Sequence, residues 1–580
     1  MNWTSKGPPS QIELDDGNMV KLYTKAKDIA QIMNEYFITK IKTIVENLMK
    51  LPVDLSFCRK LMQGKNCKLS MAFPTLNQVH RLLKSLKRKK STAVDGLDNY
   101  AVKLAADFLA QPLHHVITLS LMQKKFPSQW KYTKVVPLHK KNSPIHRENY
   151  RPVAILSPLS KVLEKVVYSQ IYNYFERNKL FNGSLHGYRQ SHSTMTALLS
   201  MYDKWIKAAS NGHVTGAVLV DLSTAFDLVS PSLLIKKMKI YGMDEDFCEW
   251  ISSYLSGRYQ AVWADHVFSQ FLENDIGVPQ GSNLGPLFFL VFFNDLVNAI
   301  ENDIDCYADD STLGASDNCT KAIGDKLSMD CSSLSKWMSQ NNFKLNASKT
   351  HFMVVGTEKK LQSIKDPVVV NMDEVLLQES SNSCEELLGV KIQCNLKWKS
   401  HIDALVSKLK LRLIGLEKLK HVMKKESKKK IVEGVLNSLL AYCLPLYGGC
   451  MKFEVELLQV QQNKAAQIIL NCPPRTNRDS MYDKLDWLTV EQLIVYHTLI
   501  TVYRIRSSNH PIDLAKQLKN ENRLGKIIVS NQRLEQYRKS FIFRGSVNWN
   551  SLPLAIREAE TLGVFKKQLR DWIKANISRF

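Results

Sequence analysis

Gly216-Ala217-Val218-Leu219-Val220-Asp221-Leu222-Ser223-Thr224-Ala225-Phe226-Asp227 is the stretch on which the reading of this chain turns. Its first five residues are small or apolar on both faces of the alternation, the pattern of a central strand buried on two sides, and that strand delivers a carboxylate, Asp221, at its end. An acid carried by a buried strand needs a partner, because an unpaired charge is costly to remove from water. Ser230-Pro231 then supplies a helix cap with proline at the first helical position, and Gly242 stops that helix. Asp221 is therefore expected where strand turns toward helix.

A second acidic point lies further along. Tyr307-Ala308-Asp309-Asp310 stands between an apolar stretch at 304–307 and a strand-like one at 312–315, which predicts a tight hairpin. Neighbouring side chains in a strand point to opposite faces, so one of the two acids should dominate metal binding, and Asp309 is the choice. An Asp-Asp turn by itself says little, since Asp is a common turn residue. Its weight comes from Asp221: carboxylates at the ends of adjacent strands suit hard divalent cations, which take oxygen ligands from carboxylates, phosphates and water. A pair of such ions, typically about 3.5–4 Å apart, serves the joining of a nucleotide to a 3′ hydroxyl, one activating the hydroxyl and the other steadying the departing pyrophosphate.

The charge agrees with a polyanionic partner. The chain carries 79 Lys and Arg against 55 Asp and Glu, a net +24, and cations that neutralise phosphates are favoured by counterion release. A hydrophobic fraction of 44% is ordinary for a globular protein and excludes wholesale disorder. Eleven cysteines without a C-x-x-C pair fit reduced thiols better than a disulfide framework, and no zinc knuckle is visible. The longest apolar run, Leu284–Phe293, is too short to span a bilayer, and the N-terminus lacks a signal-peptide core, so a soluble intracellular protein is expected.

Residues 1–75 read as a linker ending in a helix around Ile29, Ile32, Met33 and Phe37. Residues 76–395 alternate helices with short apolar strands, a mixed body of the α+β class. From 396 to 455 the pattern is helical: Ile402, Leu405, Val406, Leu409, Leu413 and Leu416 form one apolar face, and Ile431, Val432, Val435, Leu436, Leu439 and Leu440 another. The basic run 424–430 is expected to separate these helices as a solvated loop. Pro473-Pro474 interrupts the remainder, 456–580, a mostly helical module with Trp487, Trp549 and Trp572 as packing anchors.

Taken in order, seven segments resemble the motif set of reverse transcriptases, specifically the LINE-type enzymes of non-LTR retrotransposons, with a jockey-like cast. They are Val136-Pro137-Leu138-His139-Lys140-Lys141, Asn149-Tyr150-Arg151-Pro152, His186-Gly187-Tyr188-Arg189, the 220–227 stretch, Gly277-Val278-Pro279-Gln280-Gly281-Ser282, Tyr307-Ala308-Asp309-Asp310, and Leu345-Asn346-Ala347-Ser348-Lys349-Thr350. Leu388-Gly389-Val390 and Leu396-Lys397-Trp398 resemble the primer grip of that family, and Asn548-Trp549-Asn550-Ser551-Leu552-Pro553 its C-terminal module. The resemblance implies a right-hand polymerase with fingers and palm over 76–395, a helical thumb over 396–455, and a helical C-terminal module of undefined role over 456–580.

It also implies roles. Asp221 and Asp309 would hold two Mg2+ ions, with Asp310 as the supporting carboxylate; manganese suits the same oxygen ligands. Phe226 would be the aromatic gate beneath the sugar, whose ring clashes with a 2′-OH and so favours deoxynucleotides. Gln280 and Gly281 would lie beside the incoming base and template, glycine allowing close backbone approach. Arg151, with Lys140 or Lys141, would grip the triphosphate as a fork and a point charge, and Lys349 would protonate the leaving pyrophosphate. The plain structural alternatives are a core aromatic at Phe226 and solvated lysines at 140, 141 and 349. The implied partners are an RNA template, a DNA primer or RNA/DNA hybrid, and deoxynucleoside triphosphates, with no membrane; the thumb would track the duplex by phosphate contacts and shape. The implied setting is a ribonucleoprotein of nucleus and cytoplasm.

Asn283 departs from the family, which usually has an apolar residue there. The chain also begins where a linker after an endonuclease would lie, and residues 1–75 supply none of the acids and histidines of such a nuclease, so it is expected not to nick DNA itself. A competing reading from another class is a catalytically retired, element-derived RNA-binding protein. A third, another right-hand polymerase, is opposed by the Phe226 gate and the Pro-Gln-Gly-Ser segment for an RNA polymerase, and by the lack of an N-terminal RNA-binding domain for telomerase.

Overall fold

The computed structural model describes residues 7–576 apart from 16–18, 49–50, 141, 223, 347–348, 381–382 and 531–533. The protein is of the α+β class and divides into two packing units, each drawn from separated stretches of chain: Met1–Asn182, Asp221–Glu301 and Ser333–Asn346 in the first, Gly183–Val220, Asn302–Ser332 and Ala347–Phe580 in the second.

In the second unit the decisive strand spans Val214–Val220 and lies inside a four-stranded sheet ordered His351–Val355, Val214–Val220, Asp310–Asp317, Asp303–Tyr307, antiparallel throughout. Both faces are covered. Ala217 shares a core with Leu198, Tyr202 and Trp205 of the helix Thr194–Ser210, whereas a Cβ on Gly216 would fall 2.6 Å from Leu327 and 2.7 Å from Ile323 of the helix Thr320–Gln340. Two-sided coverage explains why an antiparallel strand carries no polar face, a pattern more usual in parallel sheets.

The same core continues through Leu405 and Leu409 of Lys399–Leu419, Leu458 of Lys452–Leu470, Leu499 of Val490–Ser508 and Phe565 of Leu562–Ala575. Trp487 and Trp549 are buried in it and Trp572 packs against it. Positions 395 and 455 thus fall within one continuous core. The basic run also differs from the expected loop: Lys425–Val432 is helix and runs through a π-helical turn, Glu433–Asn437, into Ser438–Ala441. Lys428 is buried, and its ammonium donates to the Ile468 carbonyl at 3.0 Å, the Lys420 carbonyl at 3.3 Å and Asn471 Oδ1 at 2.7 Å. Three neutral oxygens engage all three of its N–H groups, so this lysine is a packing residue.

In the first unit a sheet runs Tyr150–Ile155, Tyr132–His139, Tyr259–Ala264, Val267–Phe268, with Leu272–Glu273 also on Tyr259–Ala264; the Tyr132–His139 and Tyr259–Ala264 pair is parallel. The expected N-terminal helix is Ala26–Glu46, and Ile29, Met33 and Phe37 bury against Val135, Tyr150 and Val262 of that sheet. It is preceded by a two-stranded ribbon, Ile12–Asp15 with Val20–Tyr23, where a linker was expected. Helix and ribbon are therefore built into the first unit.

The apolar run Leu284–Phe293 is a ten-residue helix with every side chain but that of Pro286 buried. Among the described residues no helix is long and apolar enough to cross a membrane. The polar residues that close the run are buried as well. Asn294 donates to the Leu180 carbonyl at 2.9 Å, and Asp295 accepts from Lys237 at 2.7 Å and from Cys58 Sγ at 3.0 Å. Lys237, fully buried, also lies over the Phe292 and Trp337 rings at 4.2 and 4.7 Å. Removing one member of such a pair strands the other in a medium that solvates it poorly. Lys237→Met should destabilise the first unit by about 3–5 kcal/mol in urea unfolding, and adding Asp295→Asn should recover much of the loss; a single variant as stable as wild type would remove the pair from the account of the fold.

Candidate active site

The first unit carries most of the expected residues. Asp221 follows the last residue of the Val214–Val220 strand. Its backbone carbonyl accepts the Asn346 N–H at 3.0 Å, and Asn346 Nδ2 donates to Asp221 Oδ2 at 3.0 Å, beside an antiparallel bridge between Leu222 and Leu345. Asn346 is a site residue that sequence reasoning missed. It lay in a quoted motif, but only the fold returns it across 125 residues to orient the Asp221 carboxylate.

Four residues past a left-handed Thr224, the chain leaves a short 3-10 turn, Ala225–Leu228. Phe226 stacks on Phe289 of the apolar helix, ring centroids 4.6 Å apart and 18° from parallel, which fixes the ring rather than leaving it on a mobile surface. The segment 277–281 is knitted to this turn and to the sheet. Val278 N–H donates to the Phe226 carbonyl at 3.1 Å, Gln280 Nε2 donates to the Asp227 carboxylate at 2.5 Å, and Ala154 N–H donates to the Gln280 carbonyl at 3.1 Å. Gly281, at φ +105°, presses on the sheet so closely that a Cβ would fall 2.5 Å from the Ala154 carbonyl oxygen. The close approach that needs this glycine is thus backbone to backbone.

Arg151 is exposed on Tyr150–Ile155 opposite Leu138, and Lys140 N–H donates to the Asn149 carbonyl at 2.8 Å, so both project from one antiparallel ribbon. Lys141 lies outside the described residues. The unusual Asn283 has a structural reason: its N–H donates to the buried Glu164 carboxylate at 2.7 Å and its side-chain amide to the Lys161 carbonyl at 3.0 Å, tying the start of the apolar helix to Pro158–Arg177. Burial raises the Glu164 pKa, against the Asn283 and Tyr254 hydrogen bonds that favour the charged form.

The second unit carries the acid turn. Tyr307 pairs with Asp310, leaving Ala308 and Asp309 as a two-residue hairpin loop. Ala308 sits at φ +58°, a left-handed conformation that costs a residue with a β-carbon about 1–2 kcal/mol. The motif His186-Gly187-Tyr188-Arg189 braces it. His186 N–H donates to the Cys306 carbonyl at 2.8 Å and Cys306 N–H to the Ser184 carbonyl at 2.9 Å, so 184–187 runs beside Asp303–Tyr307. A Cβ on Gly187 would come within 2.4 Å of the Ala308 nitrogen. Tyr188 reaches the acids: its phenol is pushed up to about 12 by burial and by the charges of Asp309, Tyr307 and Asp310. No role had been assigned to it from sequence.

Behind the turn, Asp305 is buried between Lys204 at 2.9 Å and His186 at 3.4 Å. Burial works to raise its pKa, but the His186 hydrogen bond and the Lys204 charge outweigh it and lower it. Lys349 is exposed two residues before His351–Val355, the strand that pairs with Val214–Val220. Among the described residues no three His, Cys, Asp or Glu side chains gather into a metal site of their own. A hard divalent cation commonly takes only one or two carboxylates and completes its shell from water and substrate phosphates, and the carboxylates of the acid turn, Asp309 and Asp310, carry oxygen donors of that kind.

Comparison with known proteins gives the class. Residues 138–392 match the family Reverse transcriptase (RNA-dependent DNA polymerase). Among the chain's relatives are proteins of the mobile element jockey and of other transposons. The chain is 28% identical over 478 residues to the probable RNA-directed DNA polymerase from transposon BS of Drosophila melanogaster, covering 78% of this chain and 51% of that protein. It is 25% identical over 465 residues to the RNA-directed DNA polymerase from mobile element jockey of Drosophila funebris, covering 77% and 50%, and 25% over 406 residues to that probably encoded by transposon X-element of Drosophila melanogaster, covering 68% and 43%. The chain spans about half the length of these curated relatives.

Gly187→Ala should displace the acid turn and destabilise the protein by about 1–3 kcal/mol, as overpacking does. Gly183→Ala, where nothing lies within 4 Å of the added Cβ, should be nearly neutral. Equal melting temperatures for the two variants would remove Gly187 as a brace.

Proposed function

We propose that the chain is an RNA-directed DNA polymerase that extends a DNA 3′ end on an RNA template, a right-hand polymerase whose fingers and palm lie over 76–395, thumb over 396–455 and helical module over 456–580. The observation that carries this reading is the register of the four-stranded sheet. Val220 pairs with Ser311, so the strand that ends just before Asp221 runs beside the one that begins at Asp310. Adjacent strands lie about 4.8 Å apart, a separation over which carboxylates bridge divalent cations.

In this reading Asp221 and Asp309, supported by Asp310, hold two magnesium ions, which when bound activate the 3′ hydroxyl and stabilise charge on the departing pyrophosphate. Asn346 orients the Asp221 carboxylate through its hydrogen bond to Oδ2. Lys349 donates a proton to the pyrophosphate, and Arg151 with Lys140 or Lys141 holds the triphosphate through charge-assisted hydrogen bonds. Phe226, held by its stack on Phe289, fills the space a 2′-OH would need. The net charge of +24 suits the phosphates of template and primer.

Purified protein with magnesium, an RNA template and an annealed DNA primer should incorporate deoxynucleotides, and Asp309→Ala with Asp310→Ala should abolish incorporation. A wild type as inactive as that variant, yet still binding RNA, would instead identify a retired binding protein. Phe226→Ala should raise ribonucleotide incorporation relative to deoxynucleotide by about tenfold or more, the scale of losing a steric filter worth at least 1.4 kcal/mol. An unchanged ratio would remove the gate.

A further inference from the structure

Asp227 has no role in any reading so far, yet it is where the 225–228 turn and the 277–281 segment are locked together. Gly277, at φ +77°, approaches so closely that a Cβ would fall 2.7 Å from both the Cα and the carbonyl oxygen of Asp227. One residue on, Val278 N–H bonds the Phe226 carbonyl. Gln280 then returns its side chain to the Asp227 carboxylate at 2.5 Å. An ionised carboxylate only accepts hydrogen bonds, so it binds the NH2 end of the glutamine amide and leaves the carbonyl end, Oε1, turned away. A glutamine held in this way offers an acceptor, matched to a hydroxyl donor such as the 3′-OH of a nucleotide sugar; a glutamine released or reversed offers a donor there.

We propose that Asp227 is a positioning residue for nucleotide selection: its carboxylate orients the Gln280 amide so that Oε1 faces the incoming deoxynucleotide. This rests on the polymerase reading and on the nucleotide-side position of Gln280 within it.

The environment makes the hold sensitive to acid. Burial pushes the Asp227 carboxyl up to about 6, while the Gln280 hydrogen bond and the charge of Lys40, from Ala26–Glu46, work against that rise. Arg258 is the other charged side chain lining the cavity beside Asp227, which Thr133, Gln260 and Asn274 also border. Above about pH 6 the carboxylate is ionised and accepts; below it the protonated acid can donate, which favours the reversed amide.

Single-nucleotide extension on an RNA template and DNA primer, measured from pH 5.5 to 8.5, tests this. For wild type the KM for the deoxynucleotide should rise several-fold as pH falls through about 6. Asp227→Asn, which keeps an acceptor but does not titrate, should flatten that rise. Asp227→Ala should raise KM about tenfold at pH 8 with a smaller change in kcat, and combining it with Gln280→Ala should add little to either single variant. Melting temperatures of all variants, taken in parallel, separate this from simple loss of folding, which would lower kcat without altering the pH profile. An active wild type whose Asp227→Asn variant retains the acid limb, or single-variant effects that multiply in the double variant, would overturn the proposal alone. A wild type with no incorporation at all would remove the polymerase reading and this proposal with it.

Discussion

The antiparallel ladder between Val214–Val220 and Asp310–Asp317 is the constraint on which the acid turn depends. Its strands are covered on two faces, with Ala217 in one core and Gly216 against the other, so a slip of one residue would drive every side chain into the wrong layer. Register is therefore rigid where it matters, at the end of the strand where the chain passes into Asp221 and where Asp310 begins the return. A tight loop at that end forces Ala308 into a left-handed conformation, and the strain is contained because Gly187 seals the backbone of the turn from behind. Local strain of this kind persists only where surrounding packing over-determines it, and it concentrates at functional sites.

Buried polar groups serve that rigidity in each unit. Asp305 lies under the acid turn with Lys204 and His186, and Asp295 anchors the end of the apolar helix with Lys237 and Cys58. Neither pair is evidence of great stability, because desolvation offsets most of the attraction between charges; what they supply is a single acceptable arrangement. The apolar helix in turn sets Phe289 beneath Phe226 and, through Asn283 and Glu164, fixes where the 277–283 segment ends. Glycines at 277 and 281 let that segment lie against Asp227 and Ala154 at distances no side chain would permit. The 225–228 turn and the 277–283 segment thus form a backbone-bonded cluster, and mobility of individual loops has little room in it.

The basic character of the chain is less uniform than its total suggests. Lys428 and Lys237 are interior residues satisfied by carbonyls and a carboxylate, while Lys140, Arg151 and Lys349 are exposed. Burial keeps the first group from the surface, where the second group lies. Charge counts read along a sequence cannot separate the two, because a lysine stem is apolar enough to thread a core when three oxygens meet its ammonium.

By itself the sequence determined the class of fold, the strand that runs from Gly216 into Asp221, the helix begun by Ser230-Pro231, the hairpin at 307–310 and the anchoring tryptophans, since each follows from local alternation, capping and turn chemistry. Ordered motifs carried the resemblance to reverse transcriptases for the same reason: they are contiguous. What only tertiary structure decided are relations between segments far apart in the chain: Asn346 on Asp221, Gly187 behind Ala308, Tyr188 beside the acids, Gln280 on Asp227, the packing of the expected Ala26–Glu46 helix on a sheet, and the ribbon of Ile12–Asp15 with Val20–Tyr23 where a linker was expected. The 424–430 run became helix with a buried lysine because packing against Ile468 and Asn471 outweighed its local polarity. Local pattern reports which face a residue must hide, whereas the partner it hides against is chosen by chain closure over tens to hundreds of residues, which no local periodicity encodes.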